Sequence, residues 1–194
     1  MPIQVDPQTD ALIVVDVQRD FCPGGALAVP RGDDVVPVIN RLLGLTDWLT
    51  VATRDWHPAD HCSFEAQGGI WPPHCVAGTD GAAFHPVLDQ SRIRAVVSKA
   101  VTRDAEAYSG FQGTGLAARL AARGVRRVFV CGLATDYCVK ATALDARRAG
   151  LDVVVIEDAI RGVEVKPGDC AKAVDEMRAS AIVVAPSAEL APPR

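Results

Sequence analysis

The chain predicts an α/β fold of three layers, a mostly parallel sheet flanked by helices on both faces, of the Rossmann-like kind. Three observations predict it. Short runs rich in Val and Ile recur along the chain, amphipathic stretches separate them, and glycines stop two of those stretches. Strand and helix therefore alternate, which calls for parallel pairing and right-handed crossovers. With 194 residues, 49% of them hydrophobic, the chain can bury a full core as a single domain over residues 1–194.

The elements follow in order. Leu12–Val17 has the length and β-branching of a buried strand. Asp33–Leu45 reads as a helix behind an acidic start, and a strand lies near Leu49–Thr53. Ala95–Lys99 is the next strand, followed by a helix over Thr114–Arg123 that Gly124 stops. Arg127–Cys131 is a strand, and Asp136–Arg148 is a helix ended by Gly150. Asp152–Ile156, a helix over Asp169–Ala179 and Ala181–Val184 complete the pattern. The exception is Trp56–Ser91, where Pro, Gly, His and aromatic residues replace apolar periodicity. A loop that long inside a compact domain is usually functional.

Composition excludes several partner classes. A net charge of -4 and a pI near 5.5 supply no basic patch for phosphate backbones, so no nucleic-acid partner is expected. Met1–Asp10 has no basic leader character, and Ala11–Val15 is too short for a membrane span, which predicts a cytoplasmic protein without a membrane partner. The six cysteines are then expected as thiols. The chain is expected as a monomer or homo-oligomer acting on a small neutral or acidic molecule.

In open α/β sheets ligands lie beyond the carboxyl ends of the strands, so the polar residues closing the apolar runs come first. Asp16 interrupts Leu-Ile-Val-Val, and Lys99 follows Val-Val-Ser. Burying either charge costs several kcal/mol unless it is paired. Read singly, the two fit a buried ion pair or strand-end caps. With a cysteine they gain a chemical meaning, because a thiol needs a base for its proton and a cation beside its thiolate. Cys138 stands where a strand gives way to a helix in Gly132-Leu-Ala-Thr-Asp-Tyr-Cys138, and a helix start favours thiolate and oxyanion alike. The plainer reading of any one cysteine is a small buried hydrophobe.

A second constellation is Thr53-Arg-Asp55-Trp-His57-Pro-Ala-Asp60-His61, followed by Trp71-Pro-Pro-His74. Three of the four histidines and a carboxylate in one window suit one divalent ion, Zn, Fe or Mn. A loop held by histidine hydrogen bonds and a purely structural zinc site are the other readings, and Cys62 and Cys75 leave a mixed ligand set open. Phe21, Trp56, Phe64, Trp71, Tyr108 and Phe111 supply flat apolar walls for a flat heteroaromatic substrate, or else close a satellite core under the loop.

Together these motifs resemble the nicotinamidase and pyrazinamidase branch of the isochorismatase-like cysteine hydrolases. The likeness runs from about Ala11 to Val184. It rests on Val15-Asp16-Val-Gln-Arg-Asp-Phe21-Cys-Pro-Gly-Gly, Arg54-Asp55-Trp-His57-Pro-Ala-Asp-His61, Trp71-Pro-Pro-His74-Cys, Lys99, Tyr108-Ser-Gly-Phe and Gly132-Leu-Ala-Thr-Asp-Tyr-Cys138-Val. The resemblance implies hydrolysis of nicotinamide to nicotinate and ammonia through a thioester, and of pyrazinamide to pyrazinoate. It implies a triad of Asp16, Lys99 and Cys138, and an oxyanion hole from the N–H groups of Ala134 and Cys138 beside a cis peptide at Leu133-Ala134. It further implies metal ligands Asp55, His57, His61 and His74, and ring contacts from Phe21 and Trp71, with Tyr108 and Tyr137 nearby. Tyr137 departs from members that carry histidine before the nucleophile. Two other readings remain: a related enzyme acting on a ureido or carbamoyl amide, and a non-catalytic metal or thiol module.

Overall fold

The structure, a computed structural model, describes residues 2–193. Its strands are β1 (Ile3–Gln4), β2 (Asp10–Val15), β3 (Leu49–Asp55), β4 (Ala95–Lys99), β5 (Arg127–Leu133), β6 (Asp152–Arg161), β7 (Val183–Ala185) and β8 (Leu190–Ala191). Its α-helices are α1 (Val35–Leu43), α2 (Leu116–Ala122), α3 (Lys140–Arg148) and α4 (Asp169–Ala179). Six strands form one sheet in the order β4-β3-β2-β5-β6-β7, every neighbouring pair parallel. The short β1 and β8 pair with each other, also in parallel.

Alternation along the strands divides the core. Leu12 and Val14 face one side with Phe129, Cys131 and the apolar stripe of α1, Val35, Val36, Ile39, Leu42 and Leu43. Ala11, Ile13 and Val15 face the other side with Leu116 and Leu120 of α2, Ala143 and Ala146 of α3 and Met177 of α4. Period-2 strands buried on both faces, with 3.6-period stripes against each, produce the expected three layers. The layers are unequal, because one helix and the long loop share the α1 face.

Three elements depart from the sequence expectation. The first strand ends at Val15, and Asp16 takes a left-handed backbone conformation (φ 48) that no strand can continue. The helix expected from Asp136 begins as a π-helical turn over Thr135–Val139 and becomes α-helical only at Lys140. β6 runs on to Arg161 because it re-pairs with the end of β5 after an irregularity between Val130 and Gly132. No helix among the described residues is long and apolar enough to cross a membrane.

The strand order places the site. From β2 the chain proceeds outward through β3 and β4, then returns to the other side of β2 as β5, so the topological switch lies between β2 and β5. Asp16 follows β2 there, and the Cys138 turn follows β5. Register sets Val15 against both Thr53 and Gly132, and Asp55 against Lys99. Gly132 (φ 113) is required at this crossing, since a Cβ would overlap the main chain of Val15.

Candidate active site

Asp16, Lys99 and Cys138 converge at the carboxyl edge, though they come from three separate strand ends. The Lys99 ammonium lies 2.9 Å from Asp16 Oδ2 and 3.4 Å from Cys138 Sγ, and it also contacts Asp55 Oδ1. A fourth contact, 3.2 Å to the Ala107 carbonyl, completes its surroundings. Lys99 and Asp16 are 1% and 0% exposed, so the ion pair is as buried as the hydrophobic core. Thr53 Oγ1 donates to Asp16 Oδ1 at 2.7 Å. Oδ2 receives no hydrogen bond of good geometry, and Asp16, Asp55 and Cys138 each place one donor atom within 4.8 Å of the others. Asp16 therefore presents the oxygen that pairs with Lys99 to the neighbourhood of the thiol.

Charge states follow from these contacts. Burial alone would lower the Lys99 pKa, but the carboxylates of Asp16 and Asp55 outweigh it and hold the ammonium well above its ordinary range. Burial lifts Asp16 above the usual carboxylate value, with Lys99 opposing. Asp55 is held below that range: burial would raise it, and Lys99 prevails with help from His57. Burial also pushes the Cys138 thiol well above its ordinary value, Lys99 opposing and the two carboxylates adding to the rise. Burial and the two carboxylates thus act against whatever the helix start contributes to a thiolate. That direction favours the thiol over the thiolate, and Asp16 stands beside it as a base.

A metal-ligand set lies alongside. One donor atom each from Asp55, His57 and His74 falls within 4.8 Å of the others, and all three residues are buried. His57 presents Nδ1 to the Ala100 carbonyl at 3.3 Å and His74 presents Nδ1 to the Pro72 carbonyl at 2.8 Å. With Nδ1–H donated, each ring keeps a lone pair on Nε2. His57 Nε2 is buried without a hydrogen-bond partner, and burial lowers the His74 pKa, favouring the neutral imidazole. An orphaned imidazole lone pair beside a carboxylate fits a divalent ion.

His61 stands apart from this set. Its ring centroid is 4.2 Å from that of His57, but Nδ1 meets Ser63 Oγ at 2.7 Å and Ser63 N–H at 3.3 Å, while Nε2 faces the Ala105 carbonyl at 3.2 Å. Both nitrogens have hydrogen-bond partners here, and His61 is not among the clustered donor atoms of Asp55, His57 and His74. Asp60 is on the surface beside Arg103. Cys62 and Cys75 are free thiols outside the ligand cluster, and all six cysteines are unpaired.

A small cavity of about 30 Å³ opens onto Cys138, lined by Phe21, Leu27, Trp71, His74, Tyr108, Tyr137 and Val163 among others. Trp71 meets Tyr137 edge-on at 5.1 Å and donates its indole N–H to Tyr108 Oη at 3.1 Å. Phe21 packs on His74 at 5.5 Å. Trp56 and Phe64 are elsewhere: Arg54 stacks on Trp56, and Phe64 packs around His57 and His61. The Leu133-Ala134 peptide is cis, and the Ala134 carbonyl accepts N–H groups of Tyr137 and Val139, fixing the turn that carries Cys138.

Sequence reasoning missed Thr53, Leu27, Val163 and Gln18. Thr53 closes its strand beside Val15, so its contact with Asp16 becomes visible once β2 and β3 are known to be neighbours. Leu27 and Val163 carry no chemical signal. Gln18 is fully buried and grips Asp55, accepting its N–H at 2.8 Å and donating to its carbonyl at 2.8 Å.

The isochorismatase domain model matches residues 10–189. The nicotinamidase of Escherichia coli strain K12 is 44% identical, over 88% of this chain and 91% of that protein. The structure of PnC1 from L. infantum, in complex with nicotinate, superposes with a TM-score of 0.95 at 42% identity, over 99% of this chain and all of that one. The pyrazinamidase of Pyrococcus horikoshii, in complex with zinc, gives a TM-score of 0.85 at 50% identity, over 91% and 98% of the two chains. Placed beside the buried cysteine, lysine and aspartate at the sheet's switch point, these matches identify the chain as a member of the isochorismatase family.

Proposed function

We propose that this protein is a nicotinamidase, a cysteine amidohydrolase that converts nicotinamide and water to nicotinate and ammonia, and that it also takes pyrazinamide. The observation that carries the reading is the Lys99 ammonium held between Asp16 and Cys138 under an aromatic wall, beside a buried Asp55, His57 and His74. The relatives named above for nicotinamide and pyrazinamide chemistry support it.

Asp16 takes the Cys138 proton as Sγ attacks the carboxamide carbon. Lys99 holds Asp16 and the forming thiolate in register. The N–H groups of Ala134 and Cys138 receive the oxyanion. When the tetrahedral species collapses, the carbon–nitrogen bond breaks, Asp16 returns its proton to the departing nitrogen, and ammonia leaves a nicotinoyl thioester. Asp16 then takes a proton from water as its oxygen adds to the thioester carbon. Cleavage of the carbon–sulfur bond releases nicotinate, and the proton returns to sulfur.

Asp55, His57 and His74 would hold one divalent ion, Zn, Fe or Mn, and His61 could join only by turning away from Ser63 and Ala105. Once bound, the ion supplies a Lewis-acidic point for the pyridine nitrogen. Phe21, Trp71, Tyr108 and Tyr137 wall the ring and exclude water. The test is nicotinamide turnover by Cys138→Ala beside the parent enzyme. Loss of ammonia release by at least about a thousandfold is expected, and wild-type turnover would remove Cys138 from the role. Turnover of a carbamoyl amide with none of nicotinamide would keep the triad and change the substrate.

A further inference from the structure

The turn after β2 does more than carry Asp16 and Phe21. Asp20, between those two residues in sequence, lines neither the cavity over Cys138 nor the ligand cluster. Its carboxylate nevertheless reaches across the chain. Oδ2 accepts the N–H of Cys75 at 2.7 Å, and Oδ1 accepts the N–H of Ala26 at 3.1 Å. Its main chain is held as well, the N–H by the Gly81 carbonyl at 3.0 Å and the carbonyl by the N–H of Leu27 at 3.0 Å.

Cys75 is the telling partner. It follows His74 directly, and it adopts a left-handed conformation (φ 46) that a non-glycine residue keeps only when its surroundings hold it. Its carbonyl accepts the N–H of His57 at 3.0 Å, and the His57 carbonyl in turn accepts Ala77 N–H at 2.8 Å. One peptide segment thus joins the main chains of both imidazoles, and the Asp20 carboxylate holds that segment through the Cys75 N–H. Gly81 leaves the space for it, since a Cβ there would overlap the carboxylate. The strained Cys75 conformation, the shared segment and the glycine contact all point to the same carboxylate.

We propose that Asp20 is a positioning residue for the metal-ligand set, fixing Cys75 so that His57 and His74 present their Nε2 lone pairs to one point. The proposal rests on the reading of Asp55, His57 and His74 as ligands. Positioning contacts of this kind are worth about 10–100-fold in metal affinity.

The test compares the parent enzyme with Asp20→Ala, Asp20→Asn and Gly81→Ala. Each protein is stripped, then titrated with zinc alone in competition with a chromophoric chelator, and the melting temperature of each stripped form is recorded. Asp20→Ala is expected to weaken zinc binding by about 10–100-fold. Asp20→Asn, which keeps one acceptor oxygen, is expected to fall between it and the parent. Gly81→Ala displaces the carboxylate without removing it and decides the matter if Asp20→Ala does not fold, with zinc binding weakened in the same direction. Zinc affinity within twofold of the parent in the folded variants, with only the melting temperature lowered, overturns the proposal and leaves a loop staple. A parent protein that takes up no zinc overturns the ligand reading, and the proposal with it.

Discussion

The ammonium of Lys99 lies 3.4 Å from the sulfur of Cys138, although the two residues are 39 positions apart and enter from β4 and from the turn after β5. That relationship gives Lys99 a place beside the proposed nucleophile as well as beside Asp16. In the proposed mechanism it stabilises the thiolate as it forms, and its charge also lies between the buried Asp16 and Asp55 carboxylates.

Replacing Lys99 with Ala therefore leaves two buried carboxylates facing each other. Stability in urea should fall by about 3–5 kcal/mol, the usual cost of breaking a buried pair from one side. Turnover should collapse, and adding Asp16→Ala to the Lys99 variant should lower it little further, because groups that act as a unit are not additive. Stepwise, multiplicative losses would mean independent roles.

The pH profile follows from Asp16. Burial raises its carboxyl above the ordinary value of 3.8, with Lys99 opposing, and it accepts a proton only when ionised. kcat/KM should rise with pH through that raised value, so the acid limb has its midpoint above 3.8. The measurement is kcat/KM on the acid side, with metal in excess at every point. A limb that extends flat to 3.8 would assign the base elsewhere.

The two histidines of the His57–His61 pair should separate cleanly. His57 offers a buried Nε2 with no hydrogen-bond partner, whereas both nitrogens of His61 are engaged by Ser63 and Ala105. In chelator competition, His57→Ala should lose zinc affinity by more than about 100-fold, beyond what positioning contacts give, and His61→Ala by less than about tenfold. Equal losses would restore His61 to the ligand set.

The aromatic wall predicts a binding effect. Trp71→Ala removes the edge-on contact with Tyr137 and the hydrogen bond to Tyr108. At about 1 kcal/mol for each of these two contacts, KM for nicotinamide should rise about thirtyfold, with kcat changed less. A loss confined to kcat would mean that Trp71 shapes the reacting centre.

Much of this was legible in the sequence, and for physical reasons. Asp16 and Lys99 stand out because charge at the end of a Val- and Ile-rich run needs a partner, and Cys138 because it opens a helix after such a run. What local pattern does not encode is strand order. Thr53 touches Asp16 only because β3 lies beside β2, and Gln18 holds Asp55 across the same boundary. Histidine spacing likewise gathered His57, His61 and His74 into one window without saying where each lone pair points, which Ser63 and the carbonyls of Ala105, Ala100 and Pro72 decide. The thiol's raised pKa was hidden for the same reason: the helix start is local, whereas the burial and the two carboxylates that outweigh it are not.

The most direct test of the account is ammonia release from nicotinamide by the purified, reduced enzyme, measured as isolated, after chelator stripping, and after readdition of Zn, Fe or Mn, with the metal content determined alongside. The account predicts rapid release, its loss on stripping and its return with at least one of the three ions. No release from the reduced, fully metal-loaded enzyme would contradict it.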